Sequence, residues 1–255
     1  MQLVILAGGY GTRISEESNL IPKPLISIGD KPIIWHIMKY YSTYGVNEFI
    51  ICLGYKGHLI KEYFFNYSKY TSDFVVNTKN SDYEILTNNK EDWQVTLIDT
   101  GEDTMTGGRV GRIKKYIKED NFFCTYGDGL SDIDLKKLEK SHHKNKVIAS
   151  ISAVRPPGRF GSLNLVGNQV ASFQEKIEGN NSWINGGFFI FNKKIFKYIN
   201  GDSCILERYT MENLAKDKEV YSFKHDGFWQ PMDTLRDKNL LQKMWIEKKA
   251  PWKIW

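Results

Sequence analysis

The sequence has few cysteines and lacks any long apolar run. Only three cysteines occur, Cys52, Cys124 and Cys204, and their odd number and wide spacing argue against a disulfide framework or a cysteine metal site. Cys52 and Cys124 lie within apolar segments (FIICLG and FFCTYG), which predicts buried free thiols. No apolar run approaches the ~20 residues of a membrane-spanning helix, and the first residues, MQLVIL, lack the basic leader of a signal peptide. We therefore expect a cytoplasmic protein with no membrane partner.

The chain also lacks a strong excess of charge of either sign. Its 35 lysines and arginines stand against 30 aspartates and glutamates, and the formal net charge of +5 is spread along the chain. A nucleic-acid-binding protein would need a basic stripe with aromatic side chains for stacking, so we expect no nucleic-acid partner. A mildly basic balance does suit a protein that binds polyphosphates.

Strand-like and helix-like segments alternate through the first 154 residues. Strands are predicted for LVILA, NEFIICLG, WQVTLIDT, NFFCTYGD and KVIASISAV, and helices for DKPIIWHIMKYYSTYG, KGHLIKEYFFNY, GRVGRIKKYIK and DLKKLEKSHHKN. This βαβα order predicts an α/β, Rossmann-like fold with a mostly parallel central sheet and helices on both faces. Residues 66–92 are polar and are predicted to form a long surface excursion, and short strands and two helices (ERYTMENLAKD and TLRDKNLLQKMWIEK) follow Arg155. We expect a single domain over residues 1–255.

A glycine-rich turn, LAGGYGTR, follows the first strand. It does not complete the dinucleotide pattern GxGxxG, no acid ends the second strand, and the Walker pattern GxxxxGK[ST] is absent. Gly8, Gly9 and Gly11 still allow backbone N–H groups to approach an anion closely, and Arg13, after Thr12, adds a charged donor. The turn therefore indicates a phosphate site, with an ordinary turn and a surface arginine as the alternative.

A lysine enclosed by two prolines follows in the segment LIPKPL. Pro22 fixes its own φ, and Pro24 favours extended geometry for Lys23. A stiff backbone suits a lysine that must direct its charge at one phosphate. The alternative is a proline-rich loop with an incidental lysine.

LAGGYGTR followed closely by PKPL resembles the signature of the sugar nucleotidyltransferases, which make nucleotide sugars from a sugar 1-phosphate and a nucleoside triphosphate. The segments TMTGGRVGRIKKYI, YGDGLSDID, AVRPPGRFG, WINGGFFIFN and GFWQPMDT extend the resemblance over nearly the whole chain. TGGR, RPPGRFG and GFWQPMDT point to the cytidylyl branch of that family. Uridylyl or thymidylyl transfer, and a non-catalytic nucleotide-sugar-binding or regulatory subunit, are the alternatives.

The resemblance implies a Mg²⁺-dependent reaction of CTP with glucose 1-phosphate, giving CDP-glucose and pyrophosphate for O-antigen deoxysugar biosynthesis. It implies a nucleotide-binding half at residues 1–154 and a sugar-phosphate-binding half at residues 155–255. It further implies a homo-oligomer, a hexamer, in which the aromatic tail KAPWKIW is a candidate contact with a neighbouring subunit.

The resemblance also assigns residues to the two substrates. Arg13 would hold the leaving pyrophosphate and Lys23 would offset charge at the α-phosphate, so these two are the catalytic candidates. Glu175, Lys176, Asn185 and Gly186 are implied for the sugar phosphate. The implied nucleotide-binding residues are Leu6, Ala7, Gly8, Gly9, Tyr10, Gly11, Thr12, Arg13, Lys23, Thr104, Gly108, Arg109 and Asp128.

Two aspartates are candidates for the metal. Asp128 follows an apolar strand beside two glycines, where open α/β sheets bind ligands, and Asp233 lies in the proline-stiffened segment GFWQPMDT. The resemblance implies that both hold Mg²⁺, which prefers oxygen ligands. The alternatives are a turn aspartate for Asp128 and a helix cap for Asp233. The adjacent His142 and His143 are predicted to be solvated polar residues.

Overall fold

The computed structural model describes residues 1–11, 14, 20–87, 91–156, 162–166, 169–174 and 183–255. The strands are β1 (Leu3–Leu6), β2 (Ser27–Ile28), β3 (Lys31–Pro32), β4 (Glu48–Leu53), β5 (Phe74–Asn77), β6 (Asp82–Ile85), β7 (Gln94–Asp99), β8 (Asn121–Tyr126), β9 (Gly129–Ser131), β10 (Ala149–Val154), β11 (Ser162–Val166), β12 (Gln169–Gln174), β13 (Ile184–Asn192), β14 (Val220–His225) and β15 (Trp229–Pro231). The α-helices are α1 (Ile33–Ser42), α2 (Gly57–Phe65), α3 (Tyr67–Thr71), α4 (Thr106–Arg112), α5 (Leu135–Asn145), α6 (Met211–Lys216) and α7 (Leu235–Ile246).

Seven strands form one sheet, in the order β14-β10-β13-β8-β1-β4-β7. β1 is parallel to β4 and β8, β4 is parallel to β7, and β10 is parallel to β14. β13 is antiparallel to both of its neighbours, β8 and β10. The predicted mostly parallel α/β sheet is confirmed. It takes strands from both sides of residue 154.

The sequence LVIL forms the central strand because all four of its side chains are buried. Leu3 and Ile5 belong to one apolar cluster with side chains of α1, whereas Val4 and Leu6 belong to a second cluster on the other face. Strand side chains alternate between faces, so an uninterrupted apolar run is stable only where both faces are covered. The helices predicted on both faces provide that cover.

The helix predicted over Gly108–Lys118 is shorter and lies earlier. The α-helix α4 begins at Thr106, because the N–H groups of Gly107 and Gly108 donate to the carbonyl of Cys204 and so anchor its first turn. It ends at Arg112 and is followed by a 3-10 turn at Lys114–Tyr116. Three glycines in this segment weaken its helical propensity, which accounts for the early end.

The segment at residues 66–87 lies on the surface, as the sequence predicts for residues 66–92. It contains the short helix α3 and the antiparallel hairpin β5–β6, whose eight residues are all exposed. In the part of the chain that the structure describes, no helix is long and apolar enough to cross a membrane. All three cysteines are buried and free, which confirms the prediction made for Cys52 and Cys124.

The aromatic tail packs against its own chain, so the expectation that it contacts a neighbouring subunit is wrong for Trp252. Trp252 is fully buried, and its indole Nε1 donates to His36 Nδ1 at 3.4 Å. The rings of Trp245 and Trp255 also lie against His36. Trp252 belongs to the same apolar cluster as side chains of α1, a contact that the tail sequence alone did not reveal.

Two buried histidines are expected to make stability depend on pH. His36 and His142 are 0% and 2% exposed, and burial lowers the pKa of each from 6.5 to about 4. The prediction that His142 is solvated is wrong: its ring contacts Ser150 Oγ at 2.9 Å and Asn121 Oδ1 at 3.3 Å. Both histidines are neutral in the folded chain, so their contribution to the free energy of unfolding is complete above pH 6.5. As the pH falls towards 4, this contribution is lost, by about 3 kcal/mol for each histidine.

Urea unfolding measured at several pH values between those limits tests this expectation. His142→Gln should flatten the fall in the free energy of unfolding with decreasing pH. His58→Gln, at an exposed histidine of α2, is the matched control and should leave the slope unchanged. Equal slopes for wild type and His142→Gln would contradict the assignment.

Candidate functional site

A cavity of about 560 Å³ opens outside the carboxyl ends of β1, β7 and β8. This is the edge at which open parallel sheets bind ligands. It brings together the glycine turn, the loop after β7 and the two predicted metal ligands. The lining residues are Leu6, Ala7, Gly8, Gly9, Tyr10, Gly11, Lys23, Pro24, Glu102, Asp103, Thr104, Met105, Thr106, Arg109, Tyr126, Gly127, Asp128 and Asp233.

The glycine turn is shaped by contact with Arg109. A Cβ added at Gly8 would lie 2.2 Å from Arg109 Nη1, so only glycine fits there. The Gly8 carbonyl accepts from Arg109 Nη2 at 3.0 Å and from the Tyr55 N–H at 3.3 Å. Gly11 adopts a left-handed backbone with φ of +65°, which favours glycine. Thr12 and Arg13, predicted to bind the triphosphate, lie outside the described residues.

Arg109 is 5% exposed and fixes the wall of the cavity. Burial lowers the pKa of its guanidinium. Its two terminal nitrogens donate to five groups of the protein: the carbonyls of Leu53 (2.9 Å), Gly101 (2.7 Å), Gly8 (3.0 Å) and Glu102 (2.9 Å) and the hydroxyl of Thr100 (2.9 Å). Arg109 therefore joins the turn after β1 to the loop after β7, besides lining the cavity.

Three predicted site residues from distant parts of the chain meet at one end of the cavity. Lys23 Nζ lies 2.6 Å from Asp128 Oδ2 and 2.7 Å from Asp233 Oδ1. Lys23 is 8% exposed. Burial alone would lower its pKa, but the two carboxylates outweigh burial and the pKa is raised. Lys23 is therefore a buried ammonium ion between two carboxylates, and the cluster carries a net negative charge.

The backbone at Lys23 differs from the sequence prediction. Lys23 is the first residue of a 3-10 helix, Lys23–Leu25, and the extended residue is Pro22, with φ −66° and ψ 145°. The predicted extended geometry for Lys23 is wrong because Pro24 lies in the first turn, where a missing N–H group costs no helical hydrogen bond. The proline on each side still restricts the backbone that carries the ammonium.

The two aspartates are brought together by a small two-stranded sheet. Asp128 precedes β9 and Asp233 follows β15, and these strands pair antiparallel, with Gly129 opposite Pro231. The Asp128 carbonyl accepts from the Met232 N–H at 2.8 Å. The cap of α7 is Thr234, which forms a capping box with Asp237. The helix-cap alternative for Asp233 is therefore wrong, since its carboxylate faces Lys23.

The donor set fits a divalent cation that arrives with phosphates. Among the described residues no group of three or more His, Cys, Asp or Glu side chains could hold a metal. Mg²⁺, however, is commonly held by one or two carboxylates, with substrate phosphates and waters completing its shell. Asp128 and Asp233 already hold one cationic group between them, the Lys23 ammonium.

The other predicted residues differ in whether they line the cavity. Thr104 lines the cavity, whereas Gly108 does not: a Cβ there would lie 2.6 Å from the Asp202 carbonyl oxygen, so this glycine permits close packing of α4. Glu175 and Lys176 lie outside the described residues. Asn185 is not a lining residue but donates to the hydroxyl of one, Tyr126, at 3.3 Å.

Gly186 has a packing role of its own at the start of β13. A Cβ there would lie 2.6 Å from Ser152 Oγ, and its carbonyl accepts from Trp229 Nε1 at 2.7 Å. Gly186 does not line the cavity. The side chain of the neighbouring Asn185 is held instead by the Gly187 N–H, which donates to Asn185 Oδ1 at 2.7 Å.

The sequence prediction missed several lining residues, including Asp103, Thr106 and Tyr126. Tyr10 OH donates to Asp103 Oδ1 at 2.8 Å across the mouth of the cavity. Tyr126 ends β8, two residues before Asp128, so its position at a strand end is a signal that could have identified it. The loop carrying Asp103 offered no such local pattern.

Comparison with known proteins gives consistent matches. The family model described as nucleotidyl transferase matches residues 2–237. A glucose-1-phosphate cytidylyltransferase of Salmonella typhi is 49% identical over 100% of both chains, and a probable glucose-1-phosphate cytidylyltransferase of Bacillus subtilis is 42% identical over the same full lengths. The crystal structure of HddC from Yersinia pseudotuberculosis complexed with GMP-PN is 27% identical, with a TM-score of 0.70, and covers 96% of this chain and 99% of its own.

Proposed function

Because the chain belongs to the nucleotidyl transferase family, we propose that it transfers a cytidylyl group from CTP to glucose 1-phosphate, releasing CDP-glucose and pyrophosphate. The full-length identity of 49% to a glucose-1-phosphate cytidylyltransferase supports both substrates. The observation that carries the chemistry is the buried Lys23 between Asp128 and Asp233, at the end of a cavity bounded by a glycine turn. We further propose that the reaction belongs to the cytoplasmic synthesis of CDP-sugars for O-antigen, as the resemblance to the cytidylyl branch implies.

The reaction needs no general base. The attacking oxygen of a sugar phosphate is already anionic at neutral pH, so alignment and charge neutralisation are the main requirements of in-line phosphoryl transfer. Lys23 supplies a preorganised positive charge near the α-phosphate. In this proposal the backbone N–H groups of the turn and Arg13 bind the phosphates that leave as pyrophosphate.

We assign Asp128 and Asp233 to the Mg²⁺ ion of the reaction. Held by these two carboxylates, Mg²⁺ would supply positive charge that neutralises part of the charge of the nucleotide phosphates. The nucleotide binds in the cavity that is lined by the glycine turn and Arg109, in the half formed by residues 1–154. Glucose 1-phosphate binds beside β13, in the half formed by residues 155–255, with Glu175, Lys176, Asn185 and Gly186 as its ligands.

Product analysis with a panel of nucleotides tests the proposed function. The purified enzyme is incubated with glucose 1-phosphate, Mg²⁺ and CTP, UTP, dTTP or GTP in turn, and nucleotide sugar and pyrophosphate are quantified. We expect CTP to give the highest kcat/KM. A higher value with UTP or dTTP would replace the cytidylyl assignment by the alternative, and no product with any nucleotide would favour a non-catalytic binding subunit.

We also propose that the chain self-associates through the hairpin β5–β6, as a hexamer by family resemblance. An isolated two-stranded hairpin is marginal in water, yet Phe74, Val75 and Val76 are 41%, 54% and 50% exposed. A second apolar area, with Phe64 and Trp93 in a cavity of about 570 Å³, lies beside the edge strand β7. Such exposed apolar surface is typical of a protein interface.

The double substitution Val75→Lys and Val76→Lys is therefore expected to lower the molar mass measured by light scattering after gel filtration. Charges at these positions would be buried in the interface, which is strongly unfavourable. Ile246→Lys, at a residue of α7 that is 68% exposed, is the matched control and should leave the mass unchanged. An unchanged mass for the hairpin variant would exclude this surface.

A further inference from the structure

Tyr126 forms part of the cavity wall and has no role in the proposed function. It ends β8, lines the cavity and lies two residues before Asp128. Its ring packs over β13: a Cβ added at Gly187, whose φ is +76°, would lie 2.5 Å from Tyr126 Cδ2. The glycine at 187 thus lets the ring approach the backbone of β13 directly. Tyr126 therefore stands between the glycine-turn side of the cavity and the strand that carries Asn185.

The hydroxyl of Tyr126 is held by Glu207. The Tyr126 hydroxyl donates to Glu207 Oε1 in a short hydrogen bond. The other oxygen of the same carboxylate, Glu207 Oε2, accepts from Thr106 Oγ1 at 2.7 Å. Thr106 Oγ1 in turn accepts from the Leu206 N–H at 2.9 Å. Both oxygens of Glu207 thus bind residues that line the cavity, Tyr126 and Thr106.

The backbone around Glu207 is unusual and well anchored. Glu207 lies in a π-helical turn, Leu206–Thr210, a conformation that often occurs at functional sites. The preceding loop is fixed to α4, because Asp202 and Cys204 accept backbone hydrogen bonds from Met105, Gly107 and Gly108. The carboxylate is therefore presented to Tyr126 by rigid structure.

These contacts fix the polarity of the Tyr126 hydroxyl. A phenol has one proton and two lone pairs. The proton is committed to Glu207, and one lone pair accepts from Asn185 Nδ2 at 3.3 Å. Burial, together with the Glu207 carboxylate, raises the pKa of Tyr126, so the phenol keeps its proton. Towards the cavity the oxygen can only accept a hydrogen bond.

We propose that Glu207 is a positioning residue that makes Tyr126 an obligate hydrogen-bond acceptor for a substrate hydroxyl. A phosphate oxygen is excluded from this position, since it offers no proton and would meet the negative charge of Glu207. A hydroxyl of glucose or of the ribose has the required donor. The inference rests on the proposed function. It adds that Tyr126 selects substrate groups that donate a hydrogen bond over groups that can only accept one.

Substrate analogues that cannot donate at one position test the inference. The kcat/KM is measured for glucose 1-phosphate and its deoxyfluoro analogues, one per hydroxyl, and for CTP, 2′-deoxy-CTP and 3′-deoxy-CTP. For one analogue the wild-type enzyme is expected to lose about 10–100-fold in kcat/KM, because a buried acceptor is left unpaired. If the loss occurs with an analogue of glucose 1-phosphate, the donor to Tyr126 is a hydroxyl of glucose. If it occurs with a deoxy-CTP, the donor is a hydroxyl of the ribose.

The variants are compared by the ratio of kcat/KM for the parent substrate to that for the analogue. Tyr126→Phe removes the acceptor and is expected to bring the ratio for that analogue alone to within about threefold of unity. Glu207→Gln is expected to lower the same ratio, because an amide no longer commits the phenolic proton. Glu212→Gln, at an exposed residue of α6, is the matched control and should keep the wild-type ratio.

A purely structural role would lower kcat/KM for all substrates in proportion and leave the ratios unchanged. Unchanged ratios in Tyr126→Phe and Glu207→Gln, with product still formed from CTP and glucose 1-phosphate, would overturn this inference alone. Absence of any wild-type product from that pair would overturn the inference together with the proposed function.

Discussion

Asp128→Asn is expected to abolish useful turnover, with kcat lowered by at least about 10³-fold at saturating Mg²⁺. Asparagine keeps the shape of the side chain but removes one of the two carboxylates that lie within 2.7 Å of Lys23 Nζ. The remaining pair, Lys23 and Asp233, is electrically neutral and no longer attracts a divalent cation. The triphosphate would then enter the cavity without the charge compensation that its α-phosphate requires.

The experiment measures pyrophosphate release from CTP and glucose 1-phosphate over a range of Mg²⁺ concentrations. Asp134→Asn is the matched control, because Asp134 caps α5 and asparagine caps a helix as well as aspartate does. Circular dichroism and the midpoint of thermal unfolding should match the wild type for both variants. Turnover of Asp128→Asn within about threefold of wild type would exclude Asp128 as a metal ligand.

The fold could be predicted because its signals are local. The four buried side chains of β1 and the apolar face of α1 are read directly from residue order. Residue order does not reveal two contacts that involve other segments of the chain. The backbone of Asp202 lies against Gly108, and the buried ring of His142 contacts Asn121 on β8 as well as Ser150 on β10. Nothing near these residues in the sequence specifies those neighbours.

The site was predicted in part for the same reason. Lys23, Asp128 and Asp233 each lie in a recognisable local pattern. In the sequence, however, Asp128 and Asp233 follow Lys23 by 105 and 210 residues. Their identities therefore follow from motifs, whereas their mutual contact follows from the pairing of β9 with β15. Glu207 had no motif at all, because its role depends on Tyr126, 81 residues earlier. Only tertiary structure identifies such a residue.

Lys23→Met is expected to have two separate effects. Turnover should fall by about 10²–10³-fold, the usual cost of losing one preorganised charge contact in the transition state. Binding of Mn²⁺ by the nucleotide-free protein should tighten by at least about tenfold, because an internal cation no longer competes for Asp128 and Asp233. Methionine fills a similar volume without charge, so both effects report the ammonium and not a cavity.

Lys23→Arg separates the two effects. It retains the positive charge, so Mn²⁺ affinity, measured by calorimetry or by the paramagnetic resonance of free Mn²⁺, should stay near the wild-type value. Its planar guanidinium cannot reproduce the position of a point charge fixed between two prolines, so turnover should still fall.

If Lys23→Met binds Mn²⁺ no more tightly than wild type, the ammonium does not compete with the metal. If its turnover stays within threefold of wild type, Lys23 does not act on the α-phosphate. In the structure the ammonium contacts both of the carboxylates that we propose as metal ligands, and this direct contact is the reason to expect competition between Lys23 and the metal.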